Sequence, residues 1–189
     1  MHVRWRGLEL PASVILEEQS ASDTFGRFIV EPFENGFGTT IGNSLRRILL
    51  STIEGSAITS IRVKGAEHEF CTIEGVKQDM VDIVLNIKGL VVDVDSDEPK
   101  VLRLSASGPG EVTADLIEAD STVTVFNPDH VIATLTEAVD FEMELTIERG
   151  RGYVPAAEQY ATKDEQIIGD LPIDASFSPV QRVRYRVDN

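Results

Sequence analysis

The chain has 189 residues, 42% hydrophobic and 26% charged, the proportions of an ordinary globular protein and not of a disordered one. Its 17 basic and 32 acidic side chains leave a net charge of −15, which argues against a dominant polyanion-binding role, because phosphate binding needs a surplus of cations. The single cysteine, Cys71, excludes an internal disulfide framework; with no signal-peptide run and no window near the ~18 apolar residues of a membrane span, the expectation is a soluble protein of the cytoplasm.

The first predicted element is a helix from about Thr40 to Thr52. Ile41, Leu45, Ile48, Leu49 and Thr52 fall on one apolar face, with Thr39 or Thr40 as cap and Gly55 as the left-handed stop. A second helix is predicted from about Gly75 to Ile87, with the stripe Val76, Met80, Ile83, Val84 and Ile87, closed by Lys88 and Gly89. Short strands follow, each read from period-two alternation: Leu90 to Val94, Leu102 to Ser105, Thr122 to Val125, Val131 to Leu135 and Phe141 to Glu148. Ala156 to Asp170 reads as an exposed loop or flap. Arg182 to Val187 alternates again, as a last strand. The sum is an α+β fold with a mostly antiparallel sheet.

Charge is unevenly spread. Residues 1–52 carry a net −1, residues 53–178 a net −16 and residues 179–189 a net +2. Either an acidic middle module is inserted between two parts of another, or the acidic excess simply keeps the chain in solution. Composition alone favours the second.

Candidate chemistry is sparse. On the first helix, Asn43, Arg47, Leu50 and Ser51 share the face opposite the main stripe. Leu50 either packs on the rest of the fold or joins Arg47 in a protein contact, since arginine beside an apolar residue is the composition of an interface hot spot. Geometry leaves the two readings even. His68 and Cys71 lack further ligands at metal-binding spacing, and Cys71 reads as a small packed hydrophobe. Ser44 is not in a nucleophile elbow, and no Walker-type glycine loop is present. No catalytic residue, metal site or cofactor is therefore expected. Arg149-Gly150-Arg151-Gly152-Tyr153 is the strongest nucleic-acid hint, although one copy in an acidic setting reads better as a tight strand exit.

Four longer stretches resemble a known family. Phe28 to Pro32 followed by Gly36 to Ser51 is the first, Glu74 to Leu90 the second, Arg149 to Ala156 the third and Asp174 to Val180 the fourth. In order and spacing they resemble the N-terminal domain of bacterial RNA polymerase α subunits over nearly all of the chain. The resemblance implies an α/β dimerisation module, residues 1–52 plus 179–189, interrupted by an inserted, mainly antiparallel β module, residues 53–178. It also implies a non-catalytic subunit of a nucleotidyltransferase complex, which dimerises and gathers the large β and β′ subunits, with no direct DNA contact and no membrane. Residue by residue, Phe37, Ile41, Leu45 and Ile48 match the dimer interface. Arg46 and Arg47, with Leu50, match the β contact, and Lys88 and Ile173 the β′ side. Thr39 stands where the family commonly has histidine, so any role of that histidine is absent.

The family's dimerisation module continues into a long helix beyond the final strand, and this sequence stops at Asn189. The expectation is a truncated form with apolar surface exposed on the first helix and weak or altered dimerisation. Two other classes compete: a free-standing nucleic-acid module centred on Arg149 to Tyr153, and an acid–base hydrolase using the many carboxylates, which no motif supports.

Overall fold

The computed structural model describes residues 3–5, 7–118, 120–162 and 169–188. Its backbone gathers into two units, residues 1–49 with 182–189, and residues 50–181. Helices are mixed with sheets whose strand pairs are all antiparallel, an α+β arrangement.

The first unit has two small ribbons. β1 (Val3–Trp5) pairs with β2 (Leu8–Leu10), and β3 (Val14–Leu16) pairs with β4 (Phe28–Val30). In the second ribbon Val14 faces Val30, Ile15 faces Ile29 and Leu16 faces Phe28, so apolar residues occupy both sides of the pleat. Arg27 and Glu17 form an ion pair of 3.1 Å at the end where the connecting loop begins. Helix α1 (Phe37–Ser51) follows. It begins earlier than the sequence suggests, so Thr39 and Thr40 lie inside its first turn, where the Thr40 carbonyl accepts from Ser44 Oγ at 2.9 Å.

Residues 182–188 form no strand. The alternation of Val183, Tyr185 and Val187 is real, but no strand pairs with it. Tyr185 and Val187 lie instead on α1, at its glycines. A β-carbon on Gly42 would sit 2.5 Å from the Tyr185 ring, and one on Gly38 would sit 2.9 Å from Val187 Cγ1.

The second unit is built on β5 (Glu54–Val63), α2 (Met80–Ile87), β6 (Val92–Val94), β7 (Lys100–Ser107), β8 (Gly110–Thr113), β9 (Val123–Val125), β10 (Val131–Leu135) and β11 (Asp140–Arg151). Short elements finish it: β12 (Tyr153–Val154), α3 (Ala156–Thr162), β13 (Leu171–Pro172) and β14 (Ala175–Ser176). The main sheet runs β13-β5-β11-β7. Along β11, Phe141, Met143, Leu145 and Ile147 are buried while Glu142 points out, as the alternation requires. They meet α2 residues Met80, Ile83 and Ile87 and strand residues Ile61, Leu104 and Ile132 in one core. Burial of this kind stabilises by about 25 cal/mol per Å² of apolar surface, which is what holds the unit together.

β5 breaks alternation. Its pairing with β11 shifts register, Thr146 facing Ser60 and Ile147 facing Ile58, so Thr59 is an extra residue in a bulge. Thr59 and Ser60 are both buried beside Ile61. The Thr59 hydroxyl donates to Glu148 at 3.0 Å, and its carbonyl accepts from the Ile173 amide at 2.8 Å.

Three helix expectations change. α2 starts at Met80, because the Asp79 side chain accepts from the Asp82 amide at 2.8 Å and caps it there. The preceding Gly75 has φ of +75°, and Val76 makes an isolated bridge to Leu135 of β10, so that stretch is a turn and a bridge rather than helix. Gly55 is not a helix stop but part of β5: a β-carbon there would fall 2.0 Å from the Phe177 carbonyl oxygen. The predicted loop at Ala156 to Asp170 begins as helix α3, and its residues 163–168 lie outside the described residues.

Candidate protein-contact surfaces

α1 carries most of the sequence-predicted contact residues. Its stripe of Phe37, Ile41, Leu45, Ile48 and Leu49 is present, yet no residue of the helix is buried. Leu45 is 45% and Ile48 52% exposed. Gly38 and Gly42 lie beneath Val187 and Tyr185, which cover part of the helix without burying it. On the far side Arg46 and Arg47 are exposed and Leu50 is half-buried. One helix thus presents an apolar face and a cationic face. The four predicted dimer residues share the first; Arg47 and Leu50 share the second, with Arg46 beside them.

The first unit repeats this pattern. Val14, Ile15, Leu16, Phe28 and Ile29 of the β3–β4 ribbon are all exposed, and no described side chain of the unit is buried. Sequence reasoning missed this ribbon. Its signal was the apolar triplets Val14-Ile15-Leu16 and Phe28-Ile29-Val30, too short to show a period.

In the second unit, Lys88 follows the last turn of α2. Its Nζ donates to Asp174 at 2.9 Å, with both side chains about one-third exposed. Asp174 also accepts from the Ala156 amide at 2.9 Å. That amide bond first, and the Lys88 ammonium next, hold its carboxyl below the usual carboxylate range. Ile173, in contrast, is 1% exposed and belongs to the core. Its side chain is enclosed by that core rather than set on the surface. The surface residues there are Lys88 and Asp174.

The Arg149 to Tyr153 segment ends β11 and enters β12. Gly150 lies under Phe177, where a β-carbon would be 2.9 Å from the ring, and Gly152 turns the chain with φ of +67°. Arg151 donates twice to Glu54 Oε1, once through Nε at 3.0 Å and once through a shorter Nη2 bond. The pair holds Glu54 below its usual range. Arg149 and Asp97 join them around a shallow notch of about 210 Å³. Two carboxylates match two guanidiniums there, so the notch has no surplus charge for a polyanion.

Cys71 packs against the core and donates to the His68 carbonyl at 2.9 Å. Among the described residues no group of three or more His, Cys, Asp or Glu could hold a metal ion, and no helix is long and apolar enough to cross a membrane.

Comparison with known proteins fits this geometry. Residues 60–178 match the RNA polymerase Rpb3/RpoA insert domain, which falls within the second unit. The whole chain is 50% identical, over 188 residues, to a DNA-directed RNA polymerase subunit alpha of Rhodopirellula baltica, covering 56% of that protein. It is 53% identical over 173 residues to the subunits alpha of Clavibacter michiganensis and Clavibacter sepedonicus, using 92% of this chain and 52% of theirs. The chain spans about half the length of these curated relatives. The match of residues 60–178 to the RNA polymerase Rpb3/RpoA insert domain, with 50% identity across this chain, places it in the family of bacterial DNA-directed RNA polymerase α subunits.

Proposed function

We propose that the chain is an assembly scaffold of DNA-directed RNA polymerase, acting in the cytoplasm as a homodimer that recruits the β and β′ subunits. The carrying observation is the uncovered apolar surface of the first unit: α1 and the β3–β4 ribbon have hydrophobic faces and no buried residue. Faces of that kind mark sites for other polypeptides.

In this reading residues 1–52 plus 179–189 are the dimerisation module and residues 53–178 the inserted one. Phe37, Ile41, Leu45 and Ile48 meet a second copy. Arg46, Arg47 and Leu50 meet β, and Lys88, with Ile173 close by in the chain fold, lies on the β′ side. The chemistry of polymerisation belongs to the partners; this chain contributes geometry, two copies of one surface offered to two different large subunits. Affinity comes from a few desolvated anchors more than from total area.

Sedimentation over a range of concentrations tests the dimer. A concentration-dependent shift from monomer to dimer, abolished by Leu45→Glu, is expected; a concentration-independent monomer overturns it. Co-purification tests recruitment: β and β′ should come down with the chain. The nucleic-acid alternative predicts instead a salt-dependent gel shift lost on substituting Arg149 and Arg151, and the matched charge of their notch weighs against it.

A further inference from the structure

One carboxylate ties together three separate stretches of the second unit. Asp174 Oδ2 accepts from Lys88 Nζ and Oδ1 accepts from the Ala156 amide, each at 2.9 Å. Both oxygens are engaged, one with the end of α2 and one with the start of α3. The backbone beside them is pinned. Ile173 is buried, its amide donates to the Thr59 carbonyl at 2.8 Å, and its carbonyl accepts from Gln159 Nε2 at 2.9 Å. The carboxylate therefore sits on a fixed mount while its own side chain is partly in solvent.

A free lysine side chain samples many rotamers, and a partner that orders it bears that entropy. Lys88 is held by its bond to Asp174. Its ammonium has three donors and, among the described residues, Asp174 takes one, which leaves two for acceptor oxygens on another chain. We propose that Asp174 is the positioning residue of this surface, holding the Lys88 ammonium and the start of α3 in one frame for an acceptor-bearing face of β′. The inference rests on the reading of Lys88 as a β′ contact.

Three variants of the full chain test it: Lys88→Ala, Asp174→Asn and the two combined. Each is titrated against β′, and the lysine ammonium signals are followed by ¹⁵N NMR. The carboxamide of Asp174→Asn still accepts from the Ala156 amide, so α3 keeps its anchor. Asp174→Asn should weaken β′ binding roughly fivefold and broaden the Lys88 ammonium signal. In the Lys88→Ala background the same change should add less than about twofold, because its effect passes through the missing ammonium. Full additivity there, or an ammonium signal indifferent to Asp174→Asn, overturns the proposal alone. Unchanged affinity of Lys88→Ala overturns the β′ reading, and the proposal with it.

Discussion

The two units use similar residues to opposite ends. In the second, the apolar faces of β5, α2, β7, β10 and β11 close on one another, and Ile61, Ile83 and Leu145 are wholly enclosed. In the first, α1 has as regular a stripe as α2 and buries none of it. Periodicity states that a helix has an apolar side. It does not state whether the same chain or another molecule covers that side. The difference separates a module that stands on its own core from one whose described apolar faces stay exposed.

The comparison is broken or sharpened most directly by truncating one leucine in each unit. Leu145→Ala should cost about 2–5 kcal/mol in urea unfolding, as a cavity in a closed core does. Leu45→Ala, at 45% exposure, should change monomer stability by no more than about 0.5 kcal/mol and act on dimerisation instead. Equal losses in the monomer would erase the distinction between the units.

Arg47→Ala should weaken β binding by about 2 kcal/mol or more. Pull-down of β at undiminished yield would remove Arg47 from the contact.

The glycines give a smaller contrast. Gly55→Ala should cost about 1–3 kcal/mol, because its new carbon meets the backbone oxygen of Phe177. Gly42→Ala meets the ring of Tyr185, which is 43% exposed and has room to swing aside, so its loss should be the lesser. Thermal unfolding of both variants checks the order.

The smallest effect concerns acid. Asp174 has a folded value lowered by the Ala156 amide and Lys88. Its contribution to stability is therefore complete above the usual carboxylate range and is lost as pH falls through the lower folded value. Unfolding midpoints of the wild type and Asp174→Asn should converge as the solution is acidified through that window. Partial exposure of both partners keeps the gap small.

Much of the second unit was legible in the sequence, because alternation at Phe141 to Ile147 has one simple outcome on a pleated strand. The bulge at Thr59 was not, since an extra residue leaves no local mark until a partner strand sets the register. The start of α2 depended on the choice between Val76 continuing the helical stripe and Val76 bridging to Leu135, a contact 59 residues away. Tyr185 and Val187 had the pattern of a strand and no neighbour to pair with. Lys88 stood out by likeness to a family; its link to Asp174 depends on the fold bringing distant residues together, so no spacing rule could reveal it.

The β3–β4 ribbon bears on how such a protein is produced. Its Val14, Ile15, Leu16, Phe28 and Ile29 are wet on both sides, so a single covering layer leaves the other side greasy. A copy whose ribbon stays exposed is expected to be held by chaperones and cut by proteases. Overproduction alone should fill inclusion bodies faster than it fills the soluble pool.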